Sequence, residues 1–494
     1  MMKQTILLAS TLAAAPALLA GCTVGPNYGG PPRAAADAVA RGTFVRAGDP
    51  DFTPAPGLAR WWEALGDPTL TALVDDALAH SPQIDVAQAT IRQARAELRT
   101  QQVNQLPSVS ASASYIHAKV PGIDIASGSG GGSDGTDTQG TTSTSVDFFN
   151  LGTTASWEPD LFGAGRRGVE GARATVAQRF ADLADAQVSL SAEVAQAYVN
   201  VRDVQRRADL NAQSTKLQQQ ALALTRRRYA GGTATELDVQ RLQSQLNQTD
   251  AQNLPLGAQL DEYRNQLAVL TGRAPGALDA TLATKAPVPL PPASVPIGDP
   301  ATVIAHRPDI RSAERALAAS SAQIGVNKSR MYPNISFTGL LGLGGTSLGD
   351  VVDPDKFTAL LAPRLSWSFL DFGRNRAMVR QAEAQRDIAD AQYRQVVLEA
   401  LQDAETSLSQ FGNRRQQLLQ LIAAERAATR SAQLNALRVQ AGTSTVIDQL
   451  DIERQRYSAT LSVAQATAQL TLSYVAVQKA LGLGWADPAA KPAG

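Results

Sequence analysis

Gln440-Ala441-Gly442-Thr443-Ser444-Thr445-Val446-Ile447-Asp448-Gln449-Leu450-Asp451 lies between two long runs poor in glycine and proline, and so reads as a tight turn joining two helices. Gly442 can supply the positive φ that ends a helix, and Thr445 can cap the next one. Asp448 and Asp451 are three apart and share a face of that second helix. A near-copy stands 210 positions earlier, where Gly232, Thr233, Thr235 and Asp238 match Gly442, Thr443, Thr445 and Asp448. The chain is organised around this twinned turn.

Working outward, the duplication extends over nearly the whole sequence. His80-Ser81-Pro82-Gln83-Ile84 returns as His306-Arg307-Pro308-Asp309-Ile310 at an offset of 226, and Pro107 returns as Pro333. Beyond the next segment the offset is 210, pairing Trp157 with Trp367, Gly163 with Gly373, Arg228 with Arg438 and Gly272 with Gly482. The difference falls between Pro107 and Trp157, where a Gly/Ser run (Ser127–Ser133) and a Thr/Ser run (Thr141–Ser145) mark a longer low-complexity loop. On the N-terminal side of each turn the pattern is helical for about 65 residues, with Val176, Leu183, Leu190, Ala197 and Val204 every seventh position and Phe180, Gln187, Val194, Val201 and Ala208 four later. Sustained heptads predict coiled-coil packing, and a helix of that length would reach ~100 Å. Val397, Leu401, Ala404, Leu408, Phe411, Leu418 and Ile422 form the seam of its twin.

Before each long helix the period changes to two. Val109, Ala111, Ala113 and Tyr115 alternate with Ser108, Ser110, Ser112 and Ser114, and Leu151, Ala155 and Trp157 with Gly152, Thr154 and Ser156. In the second half Ile335, Phe337, Leu341 and Leu343 face away from Ser336 and Thr338, and Leu361, Leu365, Trp367 and Phe369 away from Arg364, Ser366 and Ser368. Four strands of about ten residues with Tyr115, Trp157 and Trp367 near strand ends fit a membrane β-barrel with an aromatic girdle. Two ordinary hairpins packed on a core would produce the same alternation, but no neighbouring segment supplies the opposing apolar layer. Four strands cannot close a barrel, and an open edge cannot sit in lipid, so several chains must contribute.

Composition narrows the class. Lys+Arg and Asp+Glu are both 45 in 494 residues, a balance that argues against nucleic acid as a partner. Lys3 and the apolar stretch Ile6 to Leu19 read as a signal peptide, residues 1–21. The one cysteine, Cys22, follows Leu19-Ala20-Gly21, which resembles the lipobox of bacterial lipoproteins; the alternative is a secreted protein with an incidental thiol. Thr23, not Asp, at the next position points by the same resemblance to the outer membrane. P-loop, CxxC and HExxH motifs are lacking; Gly339–Gly345 reads as a strand end and loop, and His80 and His306 as structural residues at helix ends. No metal, cofactor or enzymatic activity is expected beyond a covalent lipid on Cys22.

Several motifs together resemble the TolC-like outer-membrane efflux family in its NodT-type lipoprotein branch, which serves tripartite RND-type systems. They are Cys22 with Gly25-Pro26-Asn27-Tyr28, Trp61-Trp62 with Gly66-Asp67-Pro68, Asp160-Leu161-Phe162-Gly163, His306–Ile310, Tyr332-Pro333 and Asp371-Phe372-Gly373. The resemblance implies an α+β membrane protein, an internally duplicated protomer giving a trimeric 12-stranded β-barrel continued by a long periplasmic α-helical coiled-coil barrel. It implies an outer-membrane exit duct for drugs and toxic small molecules, fed by a periplasmic adaptor (membrane fusion protein) and an inner-membrane RND-type transporter. A type I protein-secretion channel and a periplasmic coiled-coil scaffold without a pore are the alternatives.

The expected organisation is a lipidated extended segment at 22–60 and a first repeat at 61–284, with a β-hairpin at 107–158 and a helical hairpin at 166–272. A Pro-rich linker at 285–300 and a second repeat at 301–483 follow, the latter with a β-hairpin at 333–369 and a helical hairpin at 374–482. A flexible tail closes the chain at 484–494. Thr235–Asp238 and Thr445–Asp448 have capping-box spacing, which is a sufficient structural reason for both acids. Asp451 has no such reason, and its repeat partner is Arg241. By the resemblance Asp448 and Asp451 are entrance aspartates, six carboxylates in a trimer, and such rings favour cations. Arg438 matches the family's basic latch residue and could pair with Asp238 of a neighbour, but Val439 stands where an aromatic is often found. The small-residue tips Gly231, Gly232, Thr233 and Ala441, Gly442, Thr443 serve plain helix reversal and, by the resemblance, adaptor docking.

Overall fold

The computed structural model describes residues 23–48, 52–55, 57–121 and 143–485. The signal peptide, Cys22, most of the long Gly/Ser loop and the end of the tail therefore lie outside the described residues. In chain order the helices are α1 (Ala36–Arg41), α2 (Pro68–His80), α3 (Pro82–Val103), α4 (Ala164–Ala230), α5 (Glu236–Leu270), α6 (Asp279–Ala283), α7 (Pro300–His306), α8 (Pro308–Ser329), α9 (Arg374–Gln440) and α10 (Val446–Ala480). The strands are β1 (Phe52–Pro54), β2 (Ser108–Pro121), β3 (Ser143–Trp157), β4 (Val295–Ile297), β5 (Asn334–Gly345) and β6 (Phe357–Ser366). The duplication keeps the lengths of the three longer helix pairs. α4 and α9 both have 67 residues, α5 and α10 both 35, and α3 and α8 both 22.

The chain divides into two units. The first comprises residues 1–30, 94–175 and 317–388, and is built on a four-stranded antiparallel sheet in the order β2-β3-β5-β6. The register puts Val109 opposite Ala155, Ala155 opposite Gly339 and Gly339 opposite Leu361, so the apolar members of all four strands share one face. On that face Val109, Leu151, Leu341, Leu361 and Leu365 are each at least half exposed. The other face carries Ser110, Thr154, Thr338 and Ser366. Gly339–Gly345 lies within β5, which corrects the expectation of a loop there. Gly342 and Gly344 leave room for the Asn150 side chain, which is buried over them. Tyr115 also differs from expectation: β2 continues six residues past it to Pro121, so it is not at a strand end.

The N-terminal strap of this unit explains the Gly25-Pro26-Asn27 motif. Arg167, buried at the start of α4, donates to the carbonyl of Val24 (3.2 Å), the carbonyl of Gly25 (3.2 Å) and Oδ1 of Asn27 (2.6 Å). Val24 N–H donates to the carbonyl of Phe162 at 3.2 Å. A side chain at Gly163 would meet Thr23 Cα at 2.9 Å, so Thr23 is seated against the turn that leads into α4.

The second unit comprises residues 31–93, 176–316 and 389–494 and holds the main apolar core. Trp61 and Trp62 are fully buried, edge to face at 5.7 Å, and Tyr474 closes on Trp61 at 6.0 Å. Around them pack Leu190, Val194, Ala197 and Val201 of α4, Leu267 of α5, Leu408 and Phe411 of α9, and Leu470 and Val477 of α10. The heptad seam is therefore real, with one departure: Phe180 stands on it by spacing yet is 38 % exposed.

The expected extended segment and stiff linker are both more structured than composition alone indicates. Residues 22–60 include α1 and β1, and Glu405 of α9 accepts the N–H groups of Val45 (2.8 Å) and Arg46 (2.9 Å). Within 285–300 lies β4, which pairs in parallel with β1, Phe52 opposite Val295. Burying Phe52 against Phe411 at 5.7 Å gives that short ribbon its reason to form.

Both His-x-Pro motifs sit where a helical hairpin ends. A side chain at Gly272 would meet the carbonyl oxygen of His80 at 2.3 Å, and one at Gly482 would meet Arg307 Cγ at 2.6 Å, so only glycine fits at either place. In the second repeat Arg307 donates to the carbonyl of Ala480 (2.6 Å), at the end of α10, and forks onto Asp309 (3.0 and 2.6 Å). His80 and His306 are each held by a backbone carbonyl four residues earlier, Asp76 at 3.1 Å and Thr302 at 3.0 Å, in keeping with a structural role at helix ends.

Candidate functional site

The two tips have the same skeleton. α4 and α9 end in Schellman motifs: Thr233 N–H donates to the carbonyl of Arg228 and Thr443 N–H to that of Arg438, both at 2.8 Å. Gly232 and Gly442 take φ of 71° and 74°, and a side chain on either would meet nothing within 4 Å. Gly231, Gly232 and Thr233, and likewise Ala441, Gly442 and Thr443, are all exposed, so each tip offers bare backbone to an approaching surface.

Both capping boxes form. Asp238 Oδ2 accepts the N–H of Thr235 (3.0 Å), whose hydroxyl accepts the N–H of Asp238 (3.2 Å). Asp448 and Thr445 repeat this at 3.1 Å in each direction. The backbone N–H of Thr235, then its hydroxyl, hold the Asp238 carboxyl below its ordinary range, with Arg241 and Arg228 adding to the effect. For Asp448 the hydroxyl of Thr445 leads, then its N–H, with contributions from Ser444 and Arg438. Both acids are thus ionised and structurally employed.

Asp451 is the different one. It is exposed at the border of a small cleft where Ile447 and Leu450 of α10 meet Leu217 and Ala221 of α4 and Leu242 of α5. Asp451 takes no part in the cap, and Arg454, one turn on, lies 3.8 Å away as its ion-pair partner in the same helix. A pair this exposed is worth at most about 1 kcal/mol and leaves the carboxylate available. Arg438 donates to the carbonyl of Thr443 at 3.4 Å, across its own turn.

Sequence reading missed a polar lock behind the second tip. Asn435, buried in α9, donates from Nδ2 to Gln449 Oε1 of α10 (2.8 Å) and accepts from the hydroxyl of Ser444 (2.9 Å). Gln449 in turn donates to the carbonyl of Ala432 at 3.2 Å. The first repeat has Thr225, Ala234 and Val239 at these places, and the Thr225 hydroxyl is buried without a partner. That polar-for-apolar exchange between repeats was the available signal.

On the apolar face of the sheet the two tryptophans are anchored alike. Trp157 Nε1 donates to the carbonyl of Gln105 (3.1 Å) and Trp367 Nε1 to that of Met331 (3.2 Å), which are repeat equivalents. Tyr115 packs tilted against Phe149, ring centroids 4.8 Å apart, and Phe149 and Trp157 are eight residues apart on β3. At 3.3 Å per residue that is about 26 Å, close to the height of the apolar band of outer-membrane barrels. Among the described residues no helix is long and apolar enough to cross a membrane.

A half-open, outward-apolar sheet joined to paired 67- and 35-residue helices defines the architecture of an outer-membrane channel protomer. The chain belongs to the outer membrane efflux protein family, which matches residues 73–273 and 300–483. It is similar to Nodulation protein T of Rhizobium leguminosarum bv. trifolii, 27% identical over 474 residues, covering 96% of this chain and 97% of that one. It is 29% identical over 449 residues to the pyoverdine export outer membrane protein OpmQ of Pseudomonas aeruginosa, covering 90% of each. Among solved structures it resembles the outer-membrane channel OprN, with a TM-score of 0.83, 32% identity, and coverage of 94% of this chain and 100% of that one. It is an outer-membrane efflux channel.

Proposed function

We propose that three copies of this chain close a 12-stranded barrel in the outer membrane, continued into the periplasm by their helical hairpins, and that the assembly is the passive exit duct of a tripartite efflux pump. Small toxic compounds enter it from an inner-membrane RND-type transporter through a periplasmic adaptor, and the duct performs no chemistry on them. The observation that carries this reading is the sheet itself: four strands, an exposed apolar face, and edges β2 and β6 without a partner among the described residues. Open edges in lipid would leave a row of unsatisfied backbone groups, each costing several kcal/mol, which forces closure with other copies. Cys22, adjacent in sequence to the strap that Arg167 pins at the start of α4, carries the lipid that anchors the N-terminus. Exposed tip residues Gly231–Thr233 and Ala441–Thr443 receive the adaptor.

At the entrance Asp448 and Asp451 form rings of carboxylate that favour cations. Arg438 of one copy and Asp238 of the next, with Arg241 beside it, are the candidate latch that holds the mouth closed. In planar bilayers the purified protein is expected to give trimer-sized channels with cation preference. Replacing Asp448 and Asp451 together by Asn should lower that preference several-fold. Channels whose selectivity is unchanged would leave capping and the Arg454 pair as the whole role of these acids, and absence of conductance would overturn the duct.

A further inference from the structure

The duplication fixes more than the number of strands. Shifting first-repeat numbers by 226 in β2 and by 210 in β3 turns the pair Ser108–Ser156 into Asn334–Ser366, which is the observed pairing of β5 with β6. The two offsets therefore map strand register without error inside each hairpin. The seam between the hairpins, β3 against β5, joins the first repeat to the second. In a closed ring of alternating repeats, the seam from the second repeat of one copy to the first repeat of the next is its equivalent.

We infer that β6 of one copy pairs antiparallel with β2 of the next in a single register, Ser366 opposite Ser112 and Arg364 opposite Ser114. These pairs are the images of Ser156–Thr338 and Thr154–Leu340 in the internal seam. This rests on the closed-oligomer reading above and goes beyond it by naming the edge residues that meet. Side-chain parity agrees, since the mapping sets Trp367 opposite Ala111 and Leu365 opposite Ala113, all on the apolar face, with the large side chains beside small ones. Exposure agrees as well: all of β6 except Thr358 is exposed, as is nearly all of β2. Pro363, which has no N–H, removes at most one bond from this ladder.

A second observation comes from the foot of the seam. In the internal seam Phe162 stacks on Tyr332 at 4.8 Å and 16°. The same offsets carry that contact to Phe372 of one copy and Leu106 of the next. Both stand bare in the single chain, Phe372 93% and Leu106 59% exposed. Phe372 is moreover held at φ 53°, a left-handed conformation that disfavours a side chain unless the surroundings impose it. The structure thus has a knob and a landing place on opposite edges, as the paired edges require.

Disulfide trapping tests the register. Directly opposed strand residues have Cβ atoms about 4.5–5.5 Å apart and diagonal ones about 7–8 Å, and only the former approach disulfide reach. Within one chain the two edges are three strands, about 14 Å, apart and cannot cross-link. The double variants Ser112→Cys/Ser366→Cys and Ser114→Cys/Arg364→Cys, oxidised in outer-membrane fractions, are expected to run as covalent multimers on non-reducing gels. Ser366→Cys combined with Ser110→Cys or Ser114→Cys should cross-link at least tenfold less, and the unmodified chain not at all. If an off-register pair traps better, or none traps while the native oligomer persists, the register is wrong and the closed barrel stands. If the protein is monomeric in the membrane fraction, the closed-barrel reading itself fails. Phe372→Ala should weaken the oligomer to heat; an oligomer as stable as the unmodified one would assign Phe372 to lipid instead.

Discussion

The two tips, Ala230–Glu236 and Gln440–Val446, have nearly superimposable chemistry at the turn and different chemistry one turn behind it. Schellman motif, positive-φ glycine and capping box recur in both, because reversing a helix in seven residues demands them. Behind them the first tip has Thr225, Val239 and Arg241, and the second Asn435, Gln449 and Asp451. The same division recurs at the other end of the hairpins, where Ser81 and Gln83 of the first repeat stand for Arg307 and Asp309 of the second. Backbone geometry is what the duplication preserved; polar side chains between helices are what it let diverge. A duct built from two hairpins needs both to fold alike, but only some of its surfaces need charge.

The repeats should differ most at the His-x-Pro ends. Arg307→Ala removes the donor to Ala480 and strands Asp309, and should destabilise the second unit by about 3 kcal/mol, read from denaturant unfolding. Its equivalent, Ser81→Ala, removes a buried hydroxyl that has no partner and should change stability by less than about 0.5 kcal/mol. Equal losses at both would mean that the repeats close their hairpins in the same way after all.

A smaller difference is expected at the tips. Asn435→Ala removes the donor to Gln449 Oε1 and an acceptor of the Ser444 hydroxyl and should cost about 1–2 kcal/mol, with faster amide exchange in the first turns of α10. Thr225→Ala should leave exchange in α5 within experimental scatter. Loss of protection at both tips would deny the second one its special rigidity.

The smallest effect sharpens the likeness instead. Asp238 and Asp448 both titrate below the ordinary Asp value, so their contribution is fully present above about pH 4 and is lost as pH falls through their lowered values. Amide exchange at Thr235 and Thr445 should therefore rise together on acidification and not differ between tips. A tip that loses protection alone would show that its acid has another partner.

Much of this was legible in the residues. Period-two alternation located all four strands and their apolar face, and the offset of 210 paired the two long helical hairpins. What escaped were features that exist only between segments distant in sequence. Val295–Ile297 looks like part of a proline linker until Phe52 is seen beside Phe411, and Tyr115 looks terminal until β2 is seen to run on to Pro121. Phe180 satisfies the heptad yet stays exposed, because a heptad says which face is apolar and not how far a neighbour covers it.

The period of every major element, the duplication, the capped turns and the need for partner chains are written in the residues, since these follow from local dihedral preference and from the cost of open edges in lipid. Which polar side chains meet across elements depends instead on how those elements pack. Asn435 found Gln449, Arg307 found Ala480 and Arg167 found the N-terminal strap. A hydrogen bond depends on fractions of an ångström and on direction, and neither is encoded in the spacing of residues along a chain.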